Sequence, residues 1–312
     1  MKKISLASSC YNEESNIQQL YKKVLEQIDK YKDKYEFEYI LIDNGSTDNT
    51  VKELKKLAEK DSRIKVIINS RNFGHIRSPY HAIMSATGDA VIYLASDLQD
   101  PPDLIPDFIE KWENGYKVVL AVKKSSDECK FTYSIRKLYY KTLKSISDDN
   151  TTVIENSTGF GLYDKTIIDF VRLYDDPYPY FRGLISEIGF EKALIEFHQP
   201  ARKQGITKNS IYTLYDNAMV GVVKHSKVPL RLMAFSGFIL SFASLAVALG
   251  YLVAKLVFWN NFQLGIAPLI ISMFFFSSVQ LFFMGILGEY IGAIYTRVDK
   301  KPIVIEKERI NF

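Results

Sequence analysis

The sequence predicts an α/β protein in which a parallel, doubly wound sheet is followed by a two-helix membrane hairpin. Three observations carry that expectation. Short β-rich runs alternate with helical periodicity over the first 125 residues of the 312-residue chain, the pattern of a sheet wound with helices on both faces. Polar residues gather just after the β-rich runs, where ligands of such sheets bind. Two long apolar segments lie near the end of the chain.

Taken in order, Ile4–Ser8 reads as a strand, and Ile17, Leu20, Tyr21, Val24, Leu25 and Ile28 recur at the helical period. Phe37–Ile42 is a second strand, followed by a turn and a helix marked by Val51, Leu54, Leu57 and Ala58. Ile64–Ile68 leads into a helical stretch ending at Ala86. After Gly88 come a strand at Ala90–Leu94, a helix at Leu104–Trp112 and a strand at Val118–Val122. The residues following these strands are Tyr11-Asn12-Glu13, Asp43-Asn44-Gly45-Ser46, Arg71-Asn72 and Ser96-Asp97. No G-x-G-x-x-G follows the first strand and no P-loop pattern occurs, so neither a Rossmann dinucleotide site nor a P-loop is indicated. A carboxylate-rich rim better suits a cation holding a diphosphate, since Mg²⁺ is commonly bound by one or two carboxylates plus phosphate oxygens.

Composition excludes several classes. At 47% hydrophobic and 24% charged, the chain is not wholly disordered, collagen-like or a small disulfide scaffold. A net charge of +4, from 40 basic and 36 acidic residues, is too weak a bias to imply nucleic acid as a partner. Cys10 and Cys129 are far apart and without metal-ligand spacing, which fits a reducing compartment. Lys2 and Lys3 precede only a short apolar run broken by Ser5, Ser8 and Ser9, so the N-terminal part is expected to stay in the cytosol.

The average composition conceals a segregation. Residues 232–258 carry one charge, Lys255, and residues 264–288 carry none; each run exceeds the roughly 20 residues that span about 30 Å of hydrocarbon. Lys224, Lys227 and Arg231 precede the first span, Arg297, Lys300 and Lys301 follow the second, and the connection between them has no Lys or Arg. Both ends are therefore expected on the cytoplasmic side of the inner (plasma) membrane, giving a multi-pass protein with its polar domain in the cytoplasm. Ile211, Leu214, Tyr215, Ala218, Met219, Val222 and Val223 mark an amphipathic helix before the first span. The resulting division is a globular domain at 1–210, a juxtamembrane helix at 211–230, the hairpin at 231–290 and a cytoplasmic tail at 291–312.

Five pieces of sequence, in order, resemble one family: Cys10-Tyr11-Asn12-Glu13-Glu14, Ile42-Asp43-Asn44-Gly45-Ser46-Thr47-Asp48, Ser70-Arg71-Asn72-Phe73-Gly74-His75, Ala86-Thr87-Gly88-Asp89, and Ser96-Asp97-Leu98-Gln99-Asp100-Pro101-Pro102. They are similar to the family-2 inverting glycosyltransferases with the nucleotide-sugar-binding A-type fold. With the apolar hairpin, the likeness extends along the whole chain to the polyprenyl-phosphate branch, which includes dolichol-phosphate mannose synthases and bactoprenol glucosyltransferases. The resemblance implies a hexosyltransferase with a nucleotide diphosphate sugar, UDP- or GDP-linked, as donor, polyprenyl (undecaprenyl) phosphate as acceptor, a role in cell-envelope glycan modification, and Mg²⁺ or Mn²⁺ as cofactor. It assigns Tyr11, Asn12, Glu13, Asp43, Arg71, Ser96, Asp97 and Gln99 to the donor, with Asp97 as metal ligand.

Two departures from the family pattern stand out. Ala95 occupies the place of the first acid of Asp-x-Asp, and Gly159 and Gly161, within Ser157-Thr158-Gly159-Phe160-Gly161-Leu162-Tyr163, stand where relatives commonly carry an acid and an arginine. Glu155 and Glu187 are the nearest replacements for the missing acid. A phosphate monoester, with a second pKa near 6, is already a nucleophilic anion and has less need of a base. Cations for such an acceptor are supplied by Lys123, Arg136, Arg182 and Arg202. The competing readings are a processive polysaccharide synthase, disfavoured by the absence of Gln-x-x-Arg-Trp, and a catalytically impaired nucleotide-sugar-binding scaffold. The lipid bilayer is an expected partner, and a homo-oligomer is compatible with the sequence.

Overall fold

The computed structural model describes residues 1–126, 157–174, 176, 179–200, 228–257, 266–298 and 301–312. Eight strands form one sheet, in the order β7-β5-β6-β4-β1-β2-β3-β8. The strands are β1 (Lys2–Cys10), β2 (Tyr35–Asp43), β3 (Ile64–Asn69), β4 (Ala90–Tyr93), β5 (Val118–Ser126), β6 (Ser157–Asp164), β7 (Lys192–Gln199) and β8 (Glu306–Ile310). The helices are α1 (Ile17–Ile28), α2 (Thr50–Lys60), α3 (Gly74–Met84), α4 (Ile105–Glu113), α5 (Lys165–Leu173), α6 (Phe181–Glu187), α7 (Val228–Val257) and α8 (Ile266–Val298).

The strand period of two decides which helices cover which face. Ile4, Leu6, Tyr39, Leu41, Val66 and Ile68 point to one side, into a core closed by Leu20 and Val24 of α1, Leu54 and Leu57 of α2 and Phe108 of α4. Their neighbours Ala7, Ile40, Ile42 and Ile67 point to the other, against Tyr80 and Ile83 of α3, Ile168 of α5 and Leu184 of α6. Both faces are covered, as the β-α alternation predicts. The strand pairs β1–β2, β1–β4, β2–β3 and β5–β7 are parallel. Beyond that set, β6 runs antiparallel to both β4 and β5, and β8 antiparallel to β3, so the sheet as a whole is mixed. Gly161 lets β6 lie tight on β5: a Cβ there would come within 2.2 Å of the Val119 carbonyl oxygen.

One buried acid ties the sheet together at the end opposite the site. Glu38 of β2 is 2% exposed and pairs with Lys3 of β1 at 2.7 Å and Lys65 of β3 at 2.8 Å. Ser5 Oγ donates to it, as do the backbone N–H and hydroxyl of Thr87, at 2.8 and 2.9 Å.

Residues 291–312, a tail by sequence, divide into the end of α8 and the edge strand β8. The Ser70 N–H donates to the Ile305 carbonyl at 2.9 Å, and Glu306 lies opposite Asn69. Lys55 and Glu308 pair at 2.7 Å, and His81 contacts Glu306. Charge on Glu306, Lys307, Glu308 and Arg309 suits an exposed edge, where it discourages further strand addition. α7 and α8 touch each other. Among the described residues, one stretch, Ser272–Val298, is long and apolar enough to cross a membrane, and Val228–Ala243 is a shorter apolar helix. Of the juxtamembrane helix expected at 211–230, residues 211–227 lie outside the described residues and 228–230 open α7.

Candidate active site

Chain direction sets one edge of the sheet apart. The carboxyl ends of β1 and β2 lie side by side, with Cys10 opposite Asp43, and β4 ends beside them, with Tyr93 opposite Ala7. Because β6 is antiparallel, it contributes its amino end, Ser157 to Gly161, to the same edge. β5 and β7 end there too, at Ser126 and Gln199. Six strand ends therefore meet on one rim, and of the residues expected from sequence it carries Asn12, Asp43, Asp97 and Lys123 on or just after these ends.

Asp43 is 1% exposed. Its Oδ2 accepts the N–H groups of Gly45 and Ser46 at 3.0 and 3.1 Å, while Oδ1 is buried with no partner among the described residues. Burial pushes its carboxyl up, against the bonds from Ser46 and Gly45 that pull it down. A buried acceptor left open is costly unless something supplies a donor. Gly45 (φ +75°) permits the turn, because a Cβ there would meet the Arg71 backbone at 2.6 Å.

Asn12 and Glu13 shape the rim rather than project into it. Asn12, at φ +56°, receives the Thr47 N–H at 2.8 Å and donates its own N–H to Ser46 Oγ at 2.9 Å. Glu13 is buried, its N–H held by Thr50 Oγ1 at 2.9 Å and its carboxylate by the Asn16 amide. Tyr11 beside them is half-buried. Asn44, which the sequence presents only as part of a turn, latches the β2 loop to the β3 loop. Its amide donates to Asn72 Oδ1 and the Gly74 carbonyl at 3.0 and 3.1 Å, and its Oδ1 accepts the Phe73 N–H at 2.9 Å. Arg71 is exposed, with its guanidinium 4.1 Å from the centre of the Phe73 ring.

The loop after β4 presents Asp97. Ser96 is buried and its hydroxyl donates to the Ser9 carbonyl at 2.8 Å. Asp97 is half-buried, with Oδ1 accepting the Gln99 N–H at 3.1 Å. Leu98 between them sits at φ +61° and packs on the core. The Gln99 amide reaches the Pro200 carbonyl, past the end of β7, at 3.5 Å. Behind Asp97 lies Asp100, 2% exposed, whose Oδ2 accepts the Ala95 N–H at 2.9 Å. Burial pushes Asp100 up to about 6, with the charge of Asp97 adding to the rise and the Ala95 N–H, Lys123 and the Thr158 hydroxyl opposing it.

Arg182 at the start of α6 donates to the Ser157 carbonyl at 3.0 Å. Its stem lies 3.6 Å from where a Gly159 Cβ would be. Burial raises the Tyr93 hydroxyl, Asp100 and Asp97 reinforce the rise, and Arg182 opposes it, so all four groups share one electrostatic environment. Glu187, by contrast, ends α6 as an exposed residue, about 7.5 Å along the helix axis from Arg182. Glu155, Arg136 and Arg202 lie outside the described residues.

No group of three metal-ligating side chains occurs among the described residues. The donor set is Asp97 alone at the surface of the rim, which fits a Mg²⁺ or Mn²⁺ ion that takes its remaining ligands from diphosphate oxygens and water. Three charged groups thus lie on this edge: Asp43, with its buried Oδ1 unpaired, the half-buried Asp97 and the exposed Arg182.

The family model for glycosyl transferase family 2 matches residues 5–171. The chain belongs to glycosyltransferase family 2. The uncharacterized glycosyltransferase YkcC of Bacillus subtilis (strain 168) is 32% identical over 302 residues, covering 96% of this chain and 92% of that protein. The SfII prophage-derived bactoprenol glucosyl transferase of Shigella flexneri is 33% identical over 308 residues, 98% of each. Among solved structures, glucosyl-3-phosphoglycerate synthase from Mycobacterium tuberculosis, in complex with Mn²⁺, UDP and phosphoglyceric acid, aligns over 70% of this chain and 78% of its own, with a TM-score of 0.48 and 17% identity. The family match runs from β1 into α5, and so takes in the carboxyl ends of β1, β2 and β4 and the amino end of β6.

Proposed function

We propose that this glycosyltransferase moves a hexose from a UDP-sugar to polyprenyl phosphate at the cytoplasmic leaflet of the plasma membrane. The observation that carries the reading is where the chain leaves the sheet. β7 and β8 are the two edge strands, and the links to α7 and α8 both join them at the rim, after Pro200 beside Gln99 and before Ile305 beside Ser70. The link from Val298 to Ile305 has seven steps, at most about 24 Å of extended chain. Two tethers from helices in the bilayer, one on each side of the site, would turn Asp43, Asp97 and Arg182 toward the lipid. The helical extent of α7, 30 residues, its contact with α8 and the apolar run 232–258 support a second span and hence the hairpin.

The base preference follows from Asp43. Only Oδ1 remains open, since two backbone N–H groups occupy Oδ2. Uracil offers one N–H to a single acceptor, whereas the paired N–H groups of guanine call for both carboxylate oxygens. Arg71 and the rim N–H groups face the donor diphosphate, and Asp97 would hold the cation. Bound there, Mg²⁺ or Mn²⁺ neutralises charge growing on the departing diphosphate. Arg182 and Lys123 hold the acceptor phosphate, and a relative named a bactoprenol glucosyl transferase supports polyprenyl phosphate as the acceptor class. A phosphate oxygen bonds the anomeric carbon as the bond to the diphosphate oxygen breaks, in line, inverting the centre and releasing UDP. The acceptor is already ionised, so no proton need be removed from it.

Membranes containing the protein, given radiolabelled UDP- and GDP-sugars in turn, are expected to yield label in the organic-soluble lipid fraction from UDP-sugars. Label from no donor, or from GDP-sugars alone, would overturn the reading.

A further inference from the structure

The carboxylate of Asp100 folds back across its own loop and closes it. Oδ2 takes the Ala95 N–H at 2.9 Å, the first N–H of the loop that carries Asp97, and the group also bonds the Thr158 hydroxyl of β6 and feels the charge of Lys123 on β5. It is 2% exposed, and its Oδ2 is taken up by the chain's own backbone. Its bonds tie the turn from Ala95 to Asp100, which follows β4, to the start of β6. That turn includes Leu98 in the left-handed region at φ +61°, a conformation a leucine keeps only when its surroundings fix it. With Ala95 supplying no side-chain carboxylate, the half-buried Asp97 is the acid this loop presents, and its geometry depends on its backbone.

We propose that Asp100 is the positioning residue of the donor site, setting the loop so that the Asp97 carboxylate is presented to a diphosphate-bound divalent cation. The inference rests on the donor reading above. Supporting groups one step removed from a metal ligand commonly change metal affinity by 10- to 100-fold. Position and charge are separable here: Asp100→Asn keeps an oxygen to accept the Ala95 N–H, whereas Asp100→Ala leaves that N–H and the Thr158 hydroxyl without it.

The test is a titration of Mn²⁺ into the full-length protein in detergent with UDP, read by calorimetry, alongside the melting temperature without metal. Asp100→Ala is expected to raise the Mn²⁺ concentration for half-maximal UDP binding by about 10- to 100-fold, with Asp100→Asn restoring it to within about threefold of wild type. Thr158→Val, which removes the bond from β6, is expected to fall between them and carries the test with Asp100→Asn if the alanine variant does not fold. The proposal is overturned if Asp100→Ala lowers the melting temperature but leaves Mn²⁺ dependence unchanged, or if Asp100→Asn and Asp100→Ala lose affinity equally. A wild-type protein that binds no UDP with Mn²⁺ defeats the donor reading itself, whereas wild-type binding with unaltered variants defeats only the role of Asp100.

Discussion

Glu38 offers a stability prediction whose size follows from its surroundings. Desolvation of this buried acid raises its pKa, but Lys3, Lys65, Ser5 and the Thr87 backbone together outweigh it, lowering the carboxyl from 4.5 to about 2. A carboxyl bound that much more tightly in its ionised form favours the folded state by about 3 kcal/mol at neutral pH. Because the folded value is depressed, the contribution is complete above the unfolded value near 4.5 and disappears as pH falls toward about 2. Glu38→Gln removes it and leaves two lysines beside a neutral amide. For a domain of this size, about 3 kcal/mol corresponds to roughly 6–12 °C in melting temperature. Melting wild type and Glu38→Gln in detergent by intrinsic fluorescence should show that gap at pH 7 and pH 5.5, shrinking steadily from pH 4.5 to pH 2.5. A gap that is absent at pH 7, or that persists undiminished at pH 2.5, would refute the reasoning.

Other substitutions probe the rim and the sheet separately. Asp43→Asn replaces the open carboxylate and should weaken UDP binding by about 10- to 100-fold, the range of one hydrogen bond to a charged group, with calorimetry as the check. Gly161→Ala forces a Cβ to 2.2 Å from the Val119 carbonyl; separating β5 from β6 should cost about 1–3 kcal/mol or more, read as a lowered melting temperature. Glu187→Gln should leave turnover within about twofold of wild type, since general-base help, where used, is worth 10²–10⁴-fold and an ionised phosphate acceptor does not call on it.

Much of the fold was legible because covering both faces of a sheet imposes periods that survive in the sequence. Ile4 and Leu6 against Ala7, and Ile40 and Ile42 against Tyr39 and Leu41, sort onto opposite faces, and the amphipathic stripe of α1 is read directly from its apolar spacing. β8 was not legible: Glu306-Lys307-Glu308-Arg309 is charged, and only the free edge of β3 makes it a strand. β6 was legible as a motif but not as the antiparallel insertion it forms, because its glycines interrupt any alternation. In the site, Asp43, Asp97 and Arg182 stood out as charged residues beside hydrophobic strands or within a family motif. The Asn44 latch and the bond from Thr158 to Asp100 depend on which strands become neighbours, and local spacing carries no trace of that.

The central claim is that Asp97, on a rim turned toward the bilayer, holds the cation through which a UDP-sugar gives its hexose to a lipid phosphate. Purified protein in vesicles containing undecaprenyl phosphate, supplied with labelled UDP-sugar and Mn²⁺ or Mg²⁺, measures it most directly. The account predicts acid-labile labelled lipid that vanishes with EDTA and falls by at least about 100-fold in a folded Asp97→Asn variant. Undiminished transfer by Asp97→Asn, or tight UDP-sugar binding by the wild type with no labelled lipid at all, would contradict it.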